Sequence, residues 1–218
     1  MSNILQLNEV SLTYTTKTIL HQVTQDIHFG DFIVVKGQNG SGKTSLLRLM
    51  AGLLPPTSGK IVRNHPLTIG YLPQRKSIDR EFPITVAETV LSGLNCRKPF
   101  WRNFRQKEKE TAQAVMEQFG LSEIAQMPIG SLSGGQWQRT LLARSIVGNP
   151  DLLLLDEPDT HLDVEMQNFL QNFLERENRQ RTLVIVSHND YFLSKIPVHR
   201  CWQVQEGKVR EHGLHTHD

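Results

Sequence analysis

A glycine-rich segment lies between an apolar strand and an amphipathic helix in the first quarter of the chain. The strand "FIVVK" runs directly into "GQNGSGKT" (37–44), and "TSLLRLMAGLL" follows with its apolar residues at helical spacing. The segment fits G-x-x-x-x-G-K-[ST] at every fixed position and has the strand–loop–helix context that the pattern requires. It predicts an α/β domain with a phosphate-binding loop at one edge of a sheet.

The residue types of this loop explain why such a pattern binds phosphate. Glycines let backbone N–H groups close around the phosphates, Lys43 brings a positive charge to the terminal phosphates, and the Thr44 hydroxyl can ligate Mg²⁺. The candidate ATP-binding residues of the loop are Gly37, Gln38, Asn39, Gly40, Ser41, Gly42, Lys43, Thr44 and Ser45.

A second apolar strand, "LLLLDE", ends in Asp156 and Glu157. In an open α/β sheet, ligands bind outside the carboxyl ends of the strands, and a carboxylate there points toward them. We expect Asp156 to hold Mg²⁺, directly or through water. Glu157 is the candidate general base for a water that attacks the γ-phosphate.

A second glycine turn occurs far from the first, in "LSGGQWQRTLLARSI" from Leu132. Two adjacent glycines before a helix suit an anion at the helix N-terminus. One bound nucleotide already has its phosphate loop at 37–44, so this second turn needs a separate explanation.

Composition, the N-terminal sequence and the cysteines give no indication of a nucleic-acid binder, a secreted protein or a membrane-spanning chain. Hydrophobic residues make up 38% of the chain and charged residues 21%, as in ordinary globular domains, and the net charge of +2 gives no indication of a nucleic-acid partner. The N-terminus does not resemble a signal peptide, and no apolar run is long enough to cross a bilayer, so we expect any membrane role to depend on a partner chain. Cys96 and Cys201 are interpreted as free thiols in a reducing compartment.

The alternation of apolar strands with helices predicts an α/β P-loop core with a mostly parallel sheet. We expect a single domain over 1–218. Residues of about 1–75 and 148–218 form the core and an N-terminal antiparallel β subdomain, and about 76–147 form a helical subdomain. The basic, aromatic stretch around Trp101 is interpreted as a solvated loop rather than a nucleic-acid or lipid site. From Glu211 onward we expect a fraying polar tail, although His212, His215 and His217 could also bind a metal.

The motifs, taken in order, resemble those of the nucleotide-binding subunit of an ABC transporter, and the resemblance covers nearly the whole chain. Lys43 and Thr44 match the Walker A motif, and Asp156 and Glu157 match the Walker B aspartate and the catalytic glutamate. "LSGGQ" is identical to the family's signature. Gln74 matches the Q-loop and His188 matches the switch histidine. Tyr14 lies where the family has its adenine-stacking aromatic residue.

The resemblance implies a role for each of these positions. Gln74 would sense the γ-phosphate and its Mg²⁺, His188 would act in catalysis, and Tyr14 would stack on adenine unless it is only a strand aromatic. It also implies a head-to-tail homodimer, with the P-loop of one subunit and "LSGGQ" of the other on either side of ATP. The γ-phosphate would then contact Ser133, Gly134, Gly135 and Gln136 of the opposite subunit. This answers why the chain has two glycine turns.

One segment departs from the family pattern. The catalytic glutamate is usually followed by Pro-Thr and a small residue before Leu-Asp, but here the run is "EPDTHLD", with Asp159 and His161 in the middle. Asp163 still matches the loop that contacts the other subunit. The departure bears on the detailed contacts of that loop and leaves the expected activity unchanged.

The stretch after Gln74 is similar to that of ATPases from importers of zinc, manganese or iron chelates. The matching residues are Pro73, Gln74, Arg75, Asp79, Phe82, Pro83, Thr85 and Val86. The resemblance implies a cytoplasmic ATPase on the inner face of the membrane, bound to a separate permease that takes a metal ion from an external binding protein. The alternatives are a subunit of a different importer or exporter and an ABC ATPase without a transport role.

Overall fold

The structure is a computed structural model that describes residues 2–74, 79–94 and 104–212. The expectations for Arg75, Cys96, the Trp101 stretch, His215 and His217 concern residues outside these ranges. Cys201 lies within them and is a free, half-buried thiol.

Strands and helices alternate along most of the chain. The strands are β1 (Asn3–Tyr14), β2 (Lys17–His28), β3 (Phe32–Lys36), β4 (Ser58–Arg63), β5 (Ile69–Leu72), β6 (Leu152–Asp156), β7 (Thr182–Val186), β8 (Arg200–Gln205) and β9 (Lys208–His212). The helices are α1 (Lys43–Ala51), α2 (Val86–Ser92), α3 (Gln106–Gln118), α4 (Gly134–Ile146), α5 (Val164–Asn178) and α6 (Asp190–Leu193). No helix of the described ranges is both long and apolar enough to span a bilayer.

The strands form two sheets. A three-stranded antiparallel sheet has the order β2-β1-β4, and a six-stranded sheet has the order β5-β6-β7-β3-β8-β9. Every neighbouring pair in the larger sheet is parallel except β8–β9, which is a hairpin. The predicted α/β fold with a mostly parallel sheet and an antiparallel N-terminal sheet is confirmed.

The larger sheet divides the hydrophobic core into two. Successive side chains of a strand point to opposite faces. In β3, Phe32 and Val34 pack in the cluster that includes residues of α2 to α5, whereas Ile33 and Val35 pack against α1 and the antiparallel sheet. β6 and β7 are buried at every residue for the same reason. Burial on both faces is what makes these strands read as continuous apolar runs in the sequence.

Arg200 adds polar contacts between the C-terminal hairpin, which pairs with β3, and the antiparallel sheet region. Its guanidinium donates to Asp31 Oδ2 at 2.7 Å and to the Asp26 carbonyl at 2.8 Å. It also forms a two-point contact with Glu211, at 2.8 and 2.6 Å. The expectation that the chain frays from Glu211 onward is therefore wrong for Glu211 and His212, because both lie in β9 and pair with β8.

We predict that Arg200→Met lowers the free energy of unfolding by about 1–3 kcal/mol, because Asp31 and Glu211 lose a charged donor. Arg200 holds the pKa of Glu211 below its ordinary value. This contribution is therefore complete near neutral pH and is lost as the pH falls through that lowered pKa. Urea unfolding at neutral and acidic pH measures both effects, and Arg210→Met on the exposed face of β9 is the control. Equal stability of the two variants at neutral pH would contradict the prediction.

Candidate active site

Four neighbouring strands of the larger sheet end at one edge, and each is followed by a predicted functional residue. The strands are β5, β6, β7 and β3 in spatial order. Gln74 follows β5, Asp156 ends β6, His188 follows β7, and the glycine-rich loop follows β3. Because the four strands are parallel, these groups lie together at the carboxyl edge of the sheet.

Two glycines of the loop are required by their surroundings. Gly37 has φ 149°, and a Cβ there would collide with the carbonyl oxygen of Val204 in β8. Gly42 has φ 105° and forms the N-cap of α1 without a side-chain hydrogen bond. A Cβ on Gly42 would lie 3.0 Å from Ile19 Cγ2. The first N–H groups of α1 are therefore not capped by a side chain and point into the loop, as an anion site requires.

Lys43 is buried and folds back over the loop. Its Nζ donates to the carbonyl oxygens of Gly37 and Gln38, both at 2.8 Å. Burial lowers its pKa, and the nearby carboxylates of Glu157 and Asp156 oppose that shift. The ammonium group is therefore held beside the space that the loop encloses.

Asp156 has the properties of a ligand for a hard divalent cation. The residue is fully buried, and neither carboxylate oxygen has a hydrogen-bond partner among the described residues. Burial raises its pKa, whereas the nearby Thr44 hydroxyl favours the charged form. An unpaired buried carboxylate is costly without compensation. Carboxylate and hydroxyl oxygens are the donors that Mg²⁺ prefers, so this pair fits the predicted Mg²⁺ site.

Glu157 and Gln74 are in direct contact. Gln74 Nε2 donates to Glu157 Oε2 at 2.6 Å, so the two residues, which are far apart in the sequence, meet at the sheet edge. Glu157 has φ 51°, a left-handed conformation that non-glycine residues adopt infrequently, and its N–H donates to the Val186 carbonyl of β7 at 3.1 Å. This backbone conformation turns the chain sharply at the end of β6.

His188 and Tyr14 are both exposed, His188 at the carboxyl edge of the larger sheet and Tyr14 on the antiparallel sheet. His188 directly follows the fully buried Ser187 at the end of β7. Tyr14 is 47% exposed at the tip of the β1–β2 hairpin, where it pairs with Lys17. The beginning of β2 contacts Gly42 through Ile19, so this hairpin tip lies next to the glycine-rich loop.

The "LSGGQ" segment lies apart from these residues. Ser133 caps α4, with Ser133 Oγ accepting from the Gln136 N–H at 3.2 Å and Gln136 Oε1 accepting from the Ser133 N–H at 2.9 Å. Gly134 and Gly135 form the first turn of α4. This N-terminus opens into a cleft of about 750 Å³ whose lining includes His161 and Asp163 and no residue of the loop at 37–44.

Three residues that sequence reasoning did not single out connect these parts. Arg80 donates to the carbonyl oxygens of Ile129 and of Leu132, and Leu132 directly precedes Ser133. Gln138 of α4 is buried and donates to the Pro158 carbonyl at 2.8 Å. The third, Ser187, donates to Asp159 Oδ2 at 2.7 Å. No motif marks these contacts, because each joins segments that are distant in the sequence.

Asp159 therefore points into the protein. It is buried, and burial raises its pKa, while the hydrogen bond from Ser187 opposes this shift. The other unusual residue of the segment, His161, is exposed and has φ 55°. The two departures from the family pattern thus lie in different surroundings.

Comparison with known proteins identifies the family. The profile of the family described as "ABC transporter" matches residues 20–160. A "Probable metal transport system ATP-binding protein" of Chlamydia muridarum is 40% identical over 196 residues, which cover 87% of this chain and 83% of that protein. A "High-affinity zinc uptake system ATP-binding protein" of Bacillus subtilis is 33% identical over 207 residues, which cover 89% and 90% of the two chains.

Solved structures give the same result. One of these structures is described as an inward-facing conformation of a metal-chelate type ABC transporter. A chain of it superposes with a TM-score of 0.84 at 27% identity, covering 97% of this chain and 84% of that one. A bacterial ABC transporter cassette in a dimeric form has a TM-score of 0.81 at 25% identity, with coverage of 97% and 99%. The resemblance inferred from the motifs is confirmed: the chain belongs to the ABC transporter family and is an ATPase cassette of that family.

Proposed function

We propose that this chain is the ATP-hydrolysing subunit of a metal-ion importer and that it works as a homodimer on a separate membrane permease. The observation that carries the enzymatic part is the meeting of the glycine-rich loop, Asp156, Glu157 and Gln74 at one sheet edge. The names of the relatives, which include metal transport and zinc uptake ATP-binding proteins, support the metal cargo.

The residues of the loop bind the phosphates of ATP. Its backbone N–H groups and the α1 N-terminus surround the phosphates, and Lys43 exchanges its bonds with the Gly37 and Gln38 carbonyls for bonds to them. Thr44, Asp156 and Gln74 are the residues that would hold Mg²⁺, which when bound neutralises charge on the phosphates. Tyr14 stacks on the adenine from the hairpin tip.

Glu157 takes a proton from the attacking water. Its carboxylate lies at the sheet edge within reach of Gln74, so γ-phosphate and Mg²⁺ binding at Gln74 changes the partners of the base. His188 follows the adjacent strand β7 and completes the catalytic group from that side. These roles follow from the positions of the groups and from the chemistry of phosphoryl transfer.

The second half of the ATP site comes from another copy of the chain. Within one chain the "LSGGQ" turn lines a cleft that contains no residue of the glycine-rich loop, whereas both turns are suited to phosphate. In a head-to-tail dimer, Ser133 to Gln136 of one copy contact the γ-phosphate held by the other. Hydrolysis removes those contacts and shifts the dimer toward an open state.

Transport requires further chains. The permease contacts the region that follows Gln74, where Phe82 is 61% exposed and the proposed helical subdomain, about 76–147, begins. We place the subunit on the cytoplasmic face of the membrane through this contact, and we include an external binding protein that delivers the metal ion.

We predict that Glu157→Gln protein binds Mg-ATP and loses turnover, because an amide cannot take the proton. Phosphate release from purified protein measures turnover, and a fluorescent ATP analogue measures binding. Lys43→Ala is the companion variant, which we expect to lose ATP binding because the phosphate charge is not compensated. Near-normal turnover by Glu157→Gln would reject the assignment of the base.

We predict that Glu157→Gln protein dimerises with ATP and that adding Ser133→Arg abolishes this dimer, because the bulky side chain fills the space of the γ-phosphate. Sedimentation with and without ATP measures both states. The matched control is Ser58→Arg on β4, an exposed position outside the cleft, which we expect to leave the dimer intact. Dimerisation of the Ser133→Arg variant like its parent would show that the signature has no role across subunits.

We predict that a bacterial strain lacking this chain has a reduced content of zinc, manganese or iron when that metal limits growth. Element analysis of cells measures the content. Re-expression of the wild-type chain restores it and re-expression of Lys43→Ala does not, because import requires ATP binding. Unchanged content of all three metals, in a strain with no other transporter for them, would refute the cargo and leave the ATPase proposal standing.

A further inference from the structure

Asp159 is a buried carboxylate that the proposed reaction does not use. It is 7% exposed, and the side chain it contacts, Ser187, is fully buried. Ser187 Oγ donates to Asp159 Oδ2 at 2.7 Å. This hydrogen bond joins the loop that follows Glu157 to the residue that immediately precedes His188.

The Ser187 hydroxyl is held in one orientation by two partners. Its proton goes to Asp159, and its oxygen accepts from the Asn189 N–H at 3.2 Å. Asn189 in turn caps α6, with Oδ1 accepting from the Phe192 N–H at 3.0 Å. The residues on both sides of His188 are thus fixed, although the His188 side chain is itself exposed.

The loop that contains Asp159 is attached on its other side as well. The buried Gln138 of α4 donates to the Pro158 carbonyl at 2.8 Å, and the Glu157 N–H donates to the Val186 carbonyl at 3.1 Å. Glu157 has φ 51°, a conformation that side-chain-bearing residues adopt infrequently and that surrounding contacts must maintain. Asp159 supplies a side-chain contact that, together with this backbone hydrogen bond, ties the turn to the end of β7.

We propose that Asp159 is a positioning residue that acts through Ser187 to hold Glu157 and His188 in the geometry needed for hydrolysis. Asp159 does not touch the substrate; its hydrogen bond with Ser187 fixes the loop that follows Glu157 against the residue that precedes His188. Only an acceptor oxygen is needed for this role, so an amide can replace the carboxylate. The inference rests on the proposed roles of Glu157 and His188.

The test compares Asp159→Ala, Asp159→Asn and Ser187→Ala in steady-state ATP hydrolysis. We expect Asp159→Ala and Ser187→Ala to lower kcat about 10- to 100-fold, the range for misplaced catalytic groups, with KM for ATP within about twofold of wild type. Asp159→Asn keeps the acceptor oxygen and restores kcat to within about threefold. The double variant Asp159→Ala/Ser187→Ala is no slower than either single variant, because both remove the same bond.

The control is Asp151→Ala, directly before β6 and at the end of that strand opposite to Glu157. Asp151 Oδ2 accepts from the Thr68 hydroxyl at 2.6 Å, a more exposed carboxylate–hydroxyl pair that is remote from the sheet edge that carries Glu157. We expect this variant to lose stability, seen as a lower Tm, with kcat unchanged. If Asp159→Ala fails to fold, Ser187→Ala carries the comparison, because it deletes only the hydroxyl.

Three results would overturn the inference. These are a kcat within about twofold of wild type in both alanine variants, an equal loss in Asp159→Asn and Asp159→Ala, or an equal loss in Asp151→Ala. Glu157→Gln, measured alongside, separates this failure from failure of the proposed function. Loss of turnover in Glu157→Gln together with any of the three results rejects the positioning role alone, whereas retained turnover in Glu157→Gln rejects the proposed base itself.

Discussion

Strands β5, β6, β7 and β3 run parallel, and β6, β7 and β3 are buried on both faces, so the carboxyl ends of the four strands lie side by side at one edge of the sheet. Helices or loops leave from that edge, and the backbone groups and side chains that begin there share one region of space. A phosphate loop after β3, acids at the end of β6 and an amide after β5 are useful only together. The parallel sheet is what brings them together, and the apolar packing on its two faces keeps it in place.

The turn after β6 is the point at which most of these groups are connected. Glu157 contacts Gln74 through its side chain and β7 through its backbone. The following residue, Pro158, accepts a hydrogen bond from the α4 helix, which begins with the signature segment. A change at the signature segment can therefore reach the proposed base through α4, and a change at Gln74 can reach it from the other side. These hydrogen bonds form a continuous chain of contacts from Gln74 through Glu157 and Pro158 to α4.

The N-terminus of α4 combines a capping box with an opening onto a cleft. The capping box of Ser133 and Gln136 satisfies some of the first N–H groups, and the two glycines that follow Ser133 add no side chains to the cleft lining. The cleft also contains His161 and Asp163 of the loop after Glu157. A second copy placed against this cleft would thus contact both the signature segment and the loop that follows Glu157.

The sequence by itself determined the type of fold and the residues of the main motifs. The apolar runs of β3, β6 and β7 and the glycine pattern at 37–44 are local signals that depend on sheet burial and backbone conformation, so they can be read without coordinates. The family membership predicted from those motifs is confirmed by the comparisons. The placement of Glu211 and His212 was not readable, because both pair with β8 and Glu211 contacts Arg200, and the polar character of the segment does not reveal these partners.

Tertiary structure alone decided the contacts between distant segments. The Gln74–Glu157, Gln138–Pro158 and Ser187–Asp159 hydrogen bonds join residues separated by 83, 20 and 28 positions, and no periodicity or motif relates such pairs. The sequence marked Asp159 only as a departure from a pattern. Burial against Ser187 is what gives that carboxylate a defined partner, because a side chain acquires its environment from the packing of elements and not from its neighbours in the chain.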